Sequence, residues 1–413
     1  MTRVALIPSA YPPSVGGVEE LTRHLALALV ASGDQVEIWT GNPDDGGAAS
    51  VDNLDGLVVR RFPMPLPATN LSAVTRTATV GLQTVRSLRR AVREFRPDVL
   101  HVQCFGPNGT YATVLSRMTG IPLMITLQGE TLMDDADIFD ISQVMRASLR
   151  AGIRTAAAVT ACSAFTLDDA VRRFGLGPAT GTVIPNAVDL GVVDVDGTPV
   201  SEDRPGKFLD GRPYVLALGR VVHKKGFDLL IAGYAAMDPE CRSADLVIGG
   251  TGAALAELEA QAEASGVAER VHFVGRLHRD QVAAAMAGAE ILVMPSRLEP
   301  FGIVALEGWR AGTAVVASSR GGAPEFIDDG VTGLLVDPFD VSAVARALER
   351  LLSDDALRRS IAAAGRRAVE DFGWPGVAER YRDLYRSVAS SRHRRGLRSA
   401  PGPLGGPPQG SMR

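Results

Sequence analysis

At 413 residues, with 46% hydrophobic and 22% charged side chains, the chain is too long for one ordinary domain and fits two. Its formal charge of -4, from 43 basic and 47 acidic residues, gives no whole-chain attraction to nucleic acid or anionic lipid, so no nucleic-acid partner is expected. Cys104, Cys162 and Cys241 are odd in number and scattered, which argues against a disulfide framework and for a reducing, cytoplasmic setting; no Cys or His pair sits at zinc-ligand spacing.

The chain opens Met1-Thr-Arg-Val-Ala-Leu-Ile-Pro8, a short apolar run that reads as a first strand and not as a secretory leader. No stretch approaches the roughly 18 apolar residues of a membrane-spanning helix. From there, short β-branched runs alternate with segments of helical period, the pattern of parallel α/β sheets. Expected strands in the first half are Val4–Pro8, Val36–Trp39, Val99–Val102, Leu123–Leu127, Val159–Ala161 and Thr182–Ile184. In the second half they are Tyr214–Leu218, Leu246–Gly249, Val271–Val274, Ile291–Met294, Ala314–Ala317 and Leu334–Val336. Val18, Leu21, Leu25 and Leu29 give the first helix its apolar face, and Gly33 stops it. Gly, Pro and Asp between Asn186 and Arg212 mark a linker. These signals predict an N-terminal domain over residues 1–188 and a C-terminal domain over 189–373. A helix over 374–390, with Val377, Tyr381, Leu384 and Val388 on one face, follows, and then a disordered tail over 391–413.

The sharpest motif is Pro295-Ser-Arg-Leu-Glu-Pro-Phe-Gly-Ile-Val-Ala-Leu-Glu307. A strand ends before it and a helix begins near Ile303, so free N–H groups and the positive dipole end suit a diphosphate. Gly302 lets the backbone come close. Glu307, roughly 6 Å along the helix axis, can take both hydroxyls of a ribose, and Glu299 faces the sugar. A solvated loop acid and an ordinary helix-start acid would explain either alone; the pair in this setting argues for a site. The second motif is Leu218-Gly-Arg-Val-Val-His-Lys-Lys-Gly226, after a strand. Arg220 offers a fork and Lys225 a point charge to phosphate oxygens. Two such cations would stabilise the charge building on a departing nucleoside diphosphate. Of the 43 basic residues only Lys207, Lys224 and Lys225 are lysine, which favours a specific need for Lys225; Lys224 is expected to face water. A third motif, Pro12-Pro-Ser-Val-Gly-Gly-Val-Glu19, places Gly16 and Gly17 at a helix start where a phosphate could approach, without the dinucleotide spacing. Gly249-Gly-Thr-Gly252 is a weaker signal of the same kind, open to reading as a turn.

With Asp98-Val-Leu-His101, Ile184-Pro-Asn-Ala-Val-Asp189, Val271-His-Phe-Val-Gly275 and Gly321-Gly-Ala-Pro-Glu325, these motifs make an ordered set over nearly all of Met1 to Ser390. In that set the chain resembles glycosyltransferase family 4. The resemblance implies the GT-B fold, two Rossmann-like parallel-sheet domains facing a cleft. It also implies retaining transfer from a UDP- or GDP-type sugar by a front-face mechanism, with no metal and no cofactor. Glu299, Arg220 and Lys225 would carry catalysis. Gly16, Gly17, Gln128, Arg276, Phe301, Gly302, Ile303, Val304 and Glu307 would hold the donor, Arg276 beside its base. The acceptor, of a phosphorylated or lipid-linked kind, would sit on the N-terminal domain, and the last helix would cross back to it.

The chain departs from the family at Leu127-Gln128-Gly129-Glu130, where many members have a histidine before the glycine, and at His101-Val-Gln103, where many have His-x-His. Gln128 can still hold a sugar by hydrogen bonds but cannot act as an imidazole; His101 reads as a packed strand-end residue. The glutamines motivate a rival reading, a non-catalytic nucleotide-sugar-binding subunit or sensor. An epimerase or phosphorylase on the same fold is a third. Before Asp98, Val85, Leu88, Val92 and Phe95 form an apolar stripe flanked by Arg86, Arg89, Arg90, Arg93 and Arg96. That pattern predicts weak peripheral contact of 85–96 with an anionic membrane at its inner face, against the plainer reading of a solvated surface helix.

Overall fold

A computed structural model describes residues 1–14, 16–42, 49–65, 71–134, 136–191 and 211–398. Most of the linker expected between Asn186 and Arg212 lies outside these residues, as does the tail beyond Arg398.

The N-terminal half runs β1 (Arg3–Pro8), α1 (Gly17–Ala31), β2 (Gln35–Gly41), β3 (Ser50–Leu54), β4 (Leu57–Phe62), α2 (Leu71–Phe95) and β5 (Val99–Gln103). It continues through α3 (Pro107–Thr119), β6 (Leu123–Leu127), α4 (Glu130–Met133), α5 (Ile138–Ile141), α6 (Gln143–Thr155), β7 (Ala158–Ala161), α7 (Ala164–Asp169) and β8 (Gly181–Val183). The eight strands form one sheet in the order β3-β4-β2-β1-β5-β6-β7-β8, parallel except for β3, which pairs antiparallel with β4 at the edge. The interior strands β5 and β6 are buried throughout, and β1 from Val4 onward, because helices cover both of their faces; they are mostly apolar, with His101, Gln103 and Thr126 as the polar exceptions. On one face Leu88 of α2, Leu115 of α3 and Leu149 of α6 close over Leu100, Val102 and Ile125. The other face carries Leu21, Leu25 and Leu29 of α1.

The C-terminal half runs β9 (Tyr214–Leu218), α8 (Phe227–Ala235), β10 (Asp245–Gly249), α9 (Leu255–Ala264), β11 (Val271–Gly275), α10 (Arg279–Gly288) and β12 (Ile291–Met294). Then come α11 (Ile303–Ala311), β13 (Ala314–Ser318), β14 (Leu334–Val336), α12 (Val341–Ser353), α13 (Asp355–Ala368) and α14 (Trp374–Arg398). Its six strands are parallel, in the order β11-β10-β9-β12-β13-β14. Asp340 and Asp354 each accept the N–H three residues on, at 2.9 Å, and so start α12 and α13.

Two expectations change. Residues 391–398 were expected to be without order, yet they continue α14; the run is poor in apolar residues and holds Gly396, but it meets no proline until Pro401. The stripe on α2 does not face outward: Leu88 is 1% exposed, and Val85, Val92 and Phe95 pack beside it against the core, leaving Arg86, Arg89, Arg90, Arg93 and Arg96 exposed. An apolar stripe cannot cover a core and enter a membrane together. Among the described residues no helix is long and apolar enough to cross a membrane.

Candidate functional site

The order β10-β9-β12 sends the chain outward in opposite directions from β9, so a crevice opens beyond the carboxyl ends of β9 and β12. Two loops meet there, Gly219–Gly226 after β9 and Pro295–Gly302 after β12. Their contact is backbone on backbone: Gly226 has φ +70°, and a Cβ on it would stand 2.1 Å from the Pro295 carbonyl oxygen. Gly321, at φ +131°, lies as close to the carbonyl of Glu299, and the Gly322 N–H donates to that carbonyl at 2.8 Å. The Glu299 N–H in turn donates to Arg320 O at 3.0 Å. Glu299 is therefore fixed through its backbone before its side chain is considered.

The residue is buried, 7% exposed. Lys225 Nζ donates to its Oε2 at 2.8 Å, and the fully buried Ser296 donates to the same oxygen at 2.7 Å. Both donors hold one oxygen, so Oε1 keeps its lone pairs for a ligand. Ser296 has no assigned role in the sequence motif that contains it, because it stands in a loop with no periodicity to mark its inward face.

Gly302 is the N-cap of α11 at φ +101°, and a Cβ there would meet the Met294 side chain at 2.5 Å. The helix start is thus glycine by necessity, with its first N–H groups uncapped by any side chain. Phe301 is buried and stacks on Phe326, ring centroids 4.7 Å apart, so only its backbone is available to a ligand. Ile303 and Val304 open the first turn, half-buried. Glu307 follows in the second turn. Among the described residues its carboxylate makes no hydrogen bond or ion pair, and burial raises its pKa against the opposing pull of Arg310 and Arg279. Glu307 is half-buried, and a partly desolvated carboxylate with no partner is costly unless a ligand supplies one.

The remaining candidates spread around this centre. Arg220 is exposed and its Nη2 donates to Met133 O of the other domain at 3.3 Å. Arg276 is exposed just past the end of β11, the edge strand, with no hydrogen bond or ion pair among the described residues. Gly16 is the extended N-cap of α1, and a Cβ on it would lie 2.7 Å from Oε2 of the buried Glu19, whereas Gly17 has open space around it. The start of α1 therefore already has a carboxylate of the chain beside it, and its open approach is at Gly17. The Gly250 and Gly252 loop is more than a turn: it seats on the carbonyls of Gly219 and Val221 and so supports the Arg220 loop from behind.

Gln128 Nε2 donates to Gln103 Oε1 at 3.2 Å, and Gln128 Oε1 is buried without a partner. Both amides line a small cavity with Asn186, Trp374 and Tyr381. His101 is fully buried, with Nδ1 2.7 Å from the Tyr385 hydroxyl and Nε2 2.7 Å from Thr126 Oγ1; burial pushes its pKa down to about 3, so it stays neutral. Next in the chain, Gly129 meets the C-terminal domain so closely that a Cβ on it would stand 2.2 Å from Pro300 Cγ.

Ser163, Glu325 and Lys224 also join the two halves at this point, and Glu130 braces the N-terminal side. Ser163 Oγ donates to Pro300 O at 2.6 Å, and the Glu325 carboxylate accepts the N–H groups of Ala164 and Phe165 at 2.7 and 2.8 Å. Glu130 accepts the N–H groups of Phe105 (2.6 Å) and Gln128 (2.7 Å), tying the ends of β5 and β6, and burial pushes its carboxyl up to about 7. Lys224, expected to face water, instead donates to Asp134 O at 2.5 Å and Asp137 Oδ1 at 2.6 Å across the cleft. Its neighbour in the same turn points to Glu299, so successive side chains diverge to the two domains.

Residues 16–187 match the family described as glycosyl transferase 4-like domain, and residues 201–368 match glycosyl transferases group 1. The chain is 29% identical to the glycogen synthase of Mycobacterium tuberculosis, over 93% of this chain and 94% of that one. It is also 29% identical to the GDP-mannose-dependent alpha-(1-6)-phosphatidylinositol monomannoside mannosyltransferase of the same species, over 95% of this chain and all of that one. Among solved structures, the Anabaena protein HepE in complex with UDP and glucose shares the fold with a TM-score of 0.75, at 19% identity, covering 94% of this chain and all of that one.

Proposed function

Because the chain belongs to the family 4 glycosyltransferases and has their GT-B fold, we propose that it transfers the sugar of a UDP- or GDP-type donor, with retention, to an acceptor on its N-terminal domain. The observation that carries this reading is the cluster at the start of α11: Glu299 with one oxygen held by Lys225 and Ser296 and the other open, beside uncapped N–H groups and the unpartnered Glu307. In this reading Glu307 takes the ribose hydroxyls and the α11 N-terminus takes the diphosphate. Glu299 Oε1 orients the sugar. Arg220 and Lys225 face the leaving diphosphate, the role a metal ion fills in other transferases, and stabilise its developing charge.

The donor phosphate oxygen takes the acceptor proton while the anomeric C–O bond to phosphate breaks and the new one forms on the same face. No protein imidazole is needed there, which accommodates Gln128. Both relatives act on carbohydrate, and one is named for a lipid-linked inositol acceptor, which supports an acceptor of the phosphorylated or lipid-linked kind. With the α2 stripe turned inward, membrane contact through 85–96 would be electrostatic alone, carried by its exposed arginines and lost at high salt.

The test is a matrix of UDP- and GDP-sugars against inositol phosphates, glucans and lipid-linked acceptors, read by nucleotide release and by the anomeric configuration of the product in proton NMR. An α-linked product from an α-linked donor supports the reading, and an inverted product overturns it. Nucleotide-sugar binding without turnover on any acceptor would overturn it also.

A further inference from the structure

The N-terminal domain lays a strap along its side of the cleft, made of α4, α5 and the described residues 134, 136 and 137 between them. Its own domain holds it through Arg173, which donates to Thr131 O at 3.0 Å, and Arg146, which donates to Phe139 O at 2.6 Å. Thr131 Oγ1 adds a bond to Asp169 at 2.7 Å. From the other domain, Lys224 Nζ donates to Asp134 O (2.5 Å), Asp137 Oδ1 (2.6 Å) and Leu132 O (3.3 Å). An ammonium has three N–H groups and here has three acceptors, all on the strap. A guanidinium is planar and too wide to converge on the same three atoms.

We infer that Lys224 is a positioning residue that fixes the strap to the turn carrying Lys225. Lys224 and Lys225 belong to one short helical turn, His223–Lys225, closed by Gly226 against Pro295. That turn cannot shift toward a bound diphosphate without carrying both lysines. The donor loop and the strap therefore move as one piece, and a filled donor site holds the strap over the cleft against water. This lysine is required as a lysine for geometric reasons, in a chain with only three of them.

The kinetic part of the inference rests on the glycosyl-transfer reading; the structural part does not, and the experiment separates them. Hydrogen exchange is followed on the full chain, alone and with UDP or GDP, in wild type and in Lys224→Ala, Lys224→Arg and Asp137→Asn. Nucleotide affinity is measured by calorimetry, and hydrolysis of any nucleotide sugar that binds is measured in parallel. Lys224→Ala should speed exchange in residues 130–134 and 136–141 at least tenfold, leaving β9 and α8 unchanged and nucleotide affinity within threefold. Lys224→Arg should fail to restore protection, and Asp137→Asn should lie between. Donor hydrolysis should rise at least threefold in Lys224→Ala, because water reaches the site. Unchanged exchange in the strap, or full rescue by Lys224→Arg, overturns the inference. Strap protection that depends on Lys224 in a protein that binds no nucleotide sugar and transfers none to any acceptor would uphold the latch and count against glycosyl transfer instead.

Discussion

At the scale of single residues, the two glutamates of the site differ in kind. Glu299 is satisfied by Lys225 and Ser296, whereas Glu307 is half-buried and, among the described residues, bare. A carboxyl whose folded pKa is raised binds its proton more tightly in the native state. It therefore subtracts stability as pH rises from its ordinary value through its folded one, and the cost is present at neutral pH. Glu307→Gln removes that cost and should raise the melting temperature at pH 7.5 by about 1–3 °C. The same change should weaken UDP or GDP binding by about 1.5–3 kcal/mol, the worth of charge-assisted hydrogen bonds. Opposite signs in calorimetry and thermal shift identify a residue kept for a ligand; a lower melting temperature with unchanged affinity would contradict the assignment. Lys225 is the complementary case. Its compact ammonium sits 2.8 Å from Glu299 in a half-buried seat, so Lys225→Arg keeps the charge but displaces the carboxylate. Turnover should fall at least tenfold at intact fold, about 1.4 kcal/mol or more of transition-state stabilisation, measured as kcat on whichever donor is accepted.

At the scale of elements, the loops at the carboxyl ends of β5 and β6 depend on one acid. Glu130 bonds the N–H groups of Phe105 and Gln128, and its carboxyl titrates near 7. The sign is that of a raised acid: the native state holds the extra proton below about 7, so its contribution falls between the ordinary value near 4.5 and about 7. The loss over that span is at most about 3 kcal/mol. Wild type should lose melting temperature from pH 5 to 7.5 more steeply than Glu130→Ala; equal slopes would mean that Glu130 does not titrate there. Strand positions were the most legible part of the sequence, because interior parallel strands are short, largely apolar runs, and Leu123–Leu127, Tyr214–Leu218, Ile291–Met294 and Leu334–Val336 lie where the pattern puts them. The β3–β4 hairpin was missed. β3 is exposed along most of its length and so carries no apolar pattern, though Asp55-Gly56, both at positive φ, is a hairpin turn signal in plain sight. Lys224 and Ser296 were not legible for a different reason. Their roles depend on partners from the other domain or on an inward turn of a loop, and neither leaves a local spacing.

At the scale of the whole molecule, the N-terminal domain is not complete in its own stretch of chain. Its sheet needs helices on both faces, and on the α1 face the second cover is α14, which arrives after the entire C-terminal domain. Trp374, Val377, Ala378, Tyr381, Tyr385 and Val388 pack there against Val4, Leu6, Leu21, Leu25 and Met124. Arg382 pairs with the buried Asp34 at 2.8 Å, and the Tyr385 hydroxyl meets His101 in the sheet. At about 1.5–3 kcal/mol for each large apolar side chain, this docking contributes on the order of 10 kcal/mol, as much as a domain's whole net stability. The consequence is asymmetric. A change on α14 should unfold the N-terminal domain, although the residue lies at the far end of the sequence, and should leave the C-terminal core alone. Tyr385→Phe keeps the packing and strips one partner from a buried imidazole that cannot protonate to compensate, since its pKa lies near 3. The expected cost is about 1–3 kcal/mol. Scanning calorimetry should show it in the unfolding transition followed by Trp39, which lies in the N-terminal domain. A transition assigned to the C-terminal core through Trp309 should not move. Val344→Ala, in α12, should do the reverse, because Val344 is buried in the C-terminal core, a cluster to which no described residue of α14 belongs. If Tyr385→Phe moved the Trp309 transition, or left both unchanged, α14 would be an accessory of the domain that precedes it. It would then not be the missing half of the domain that begins the chain.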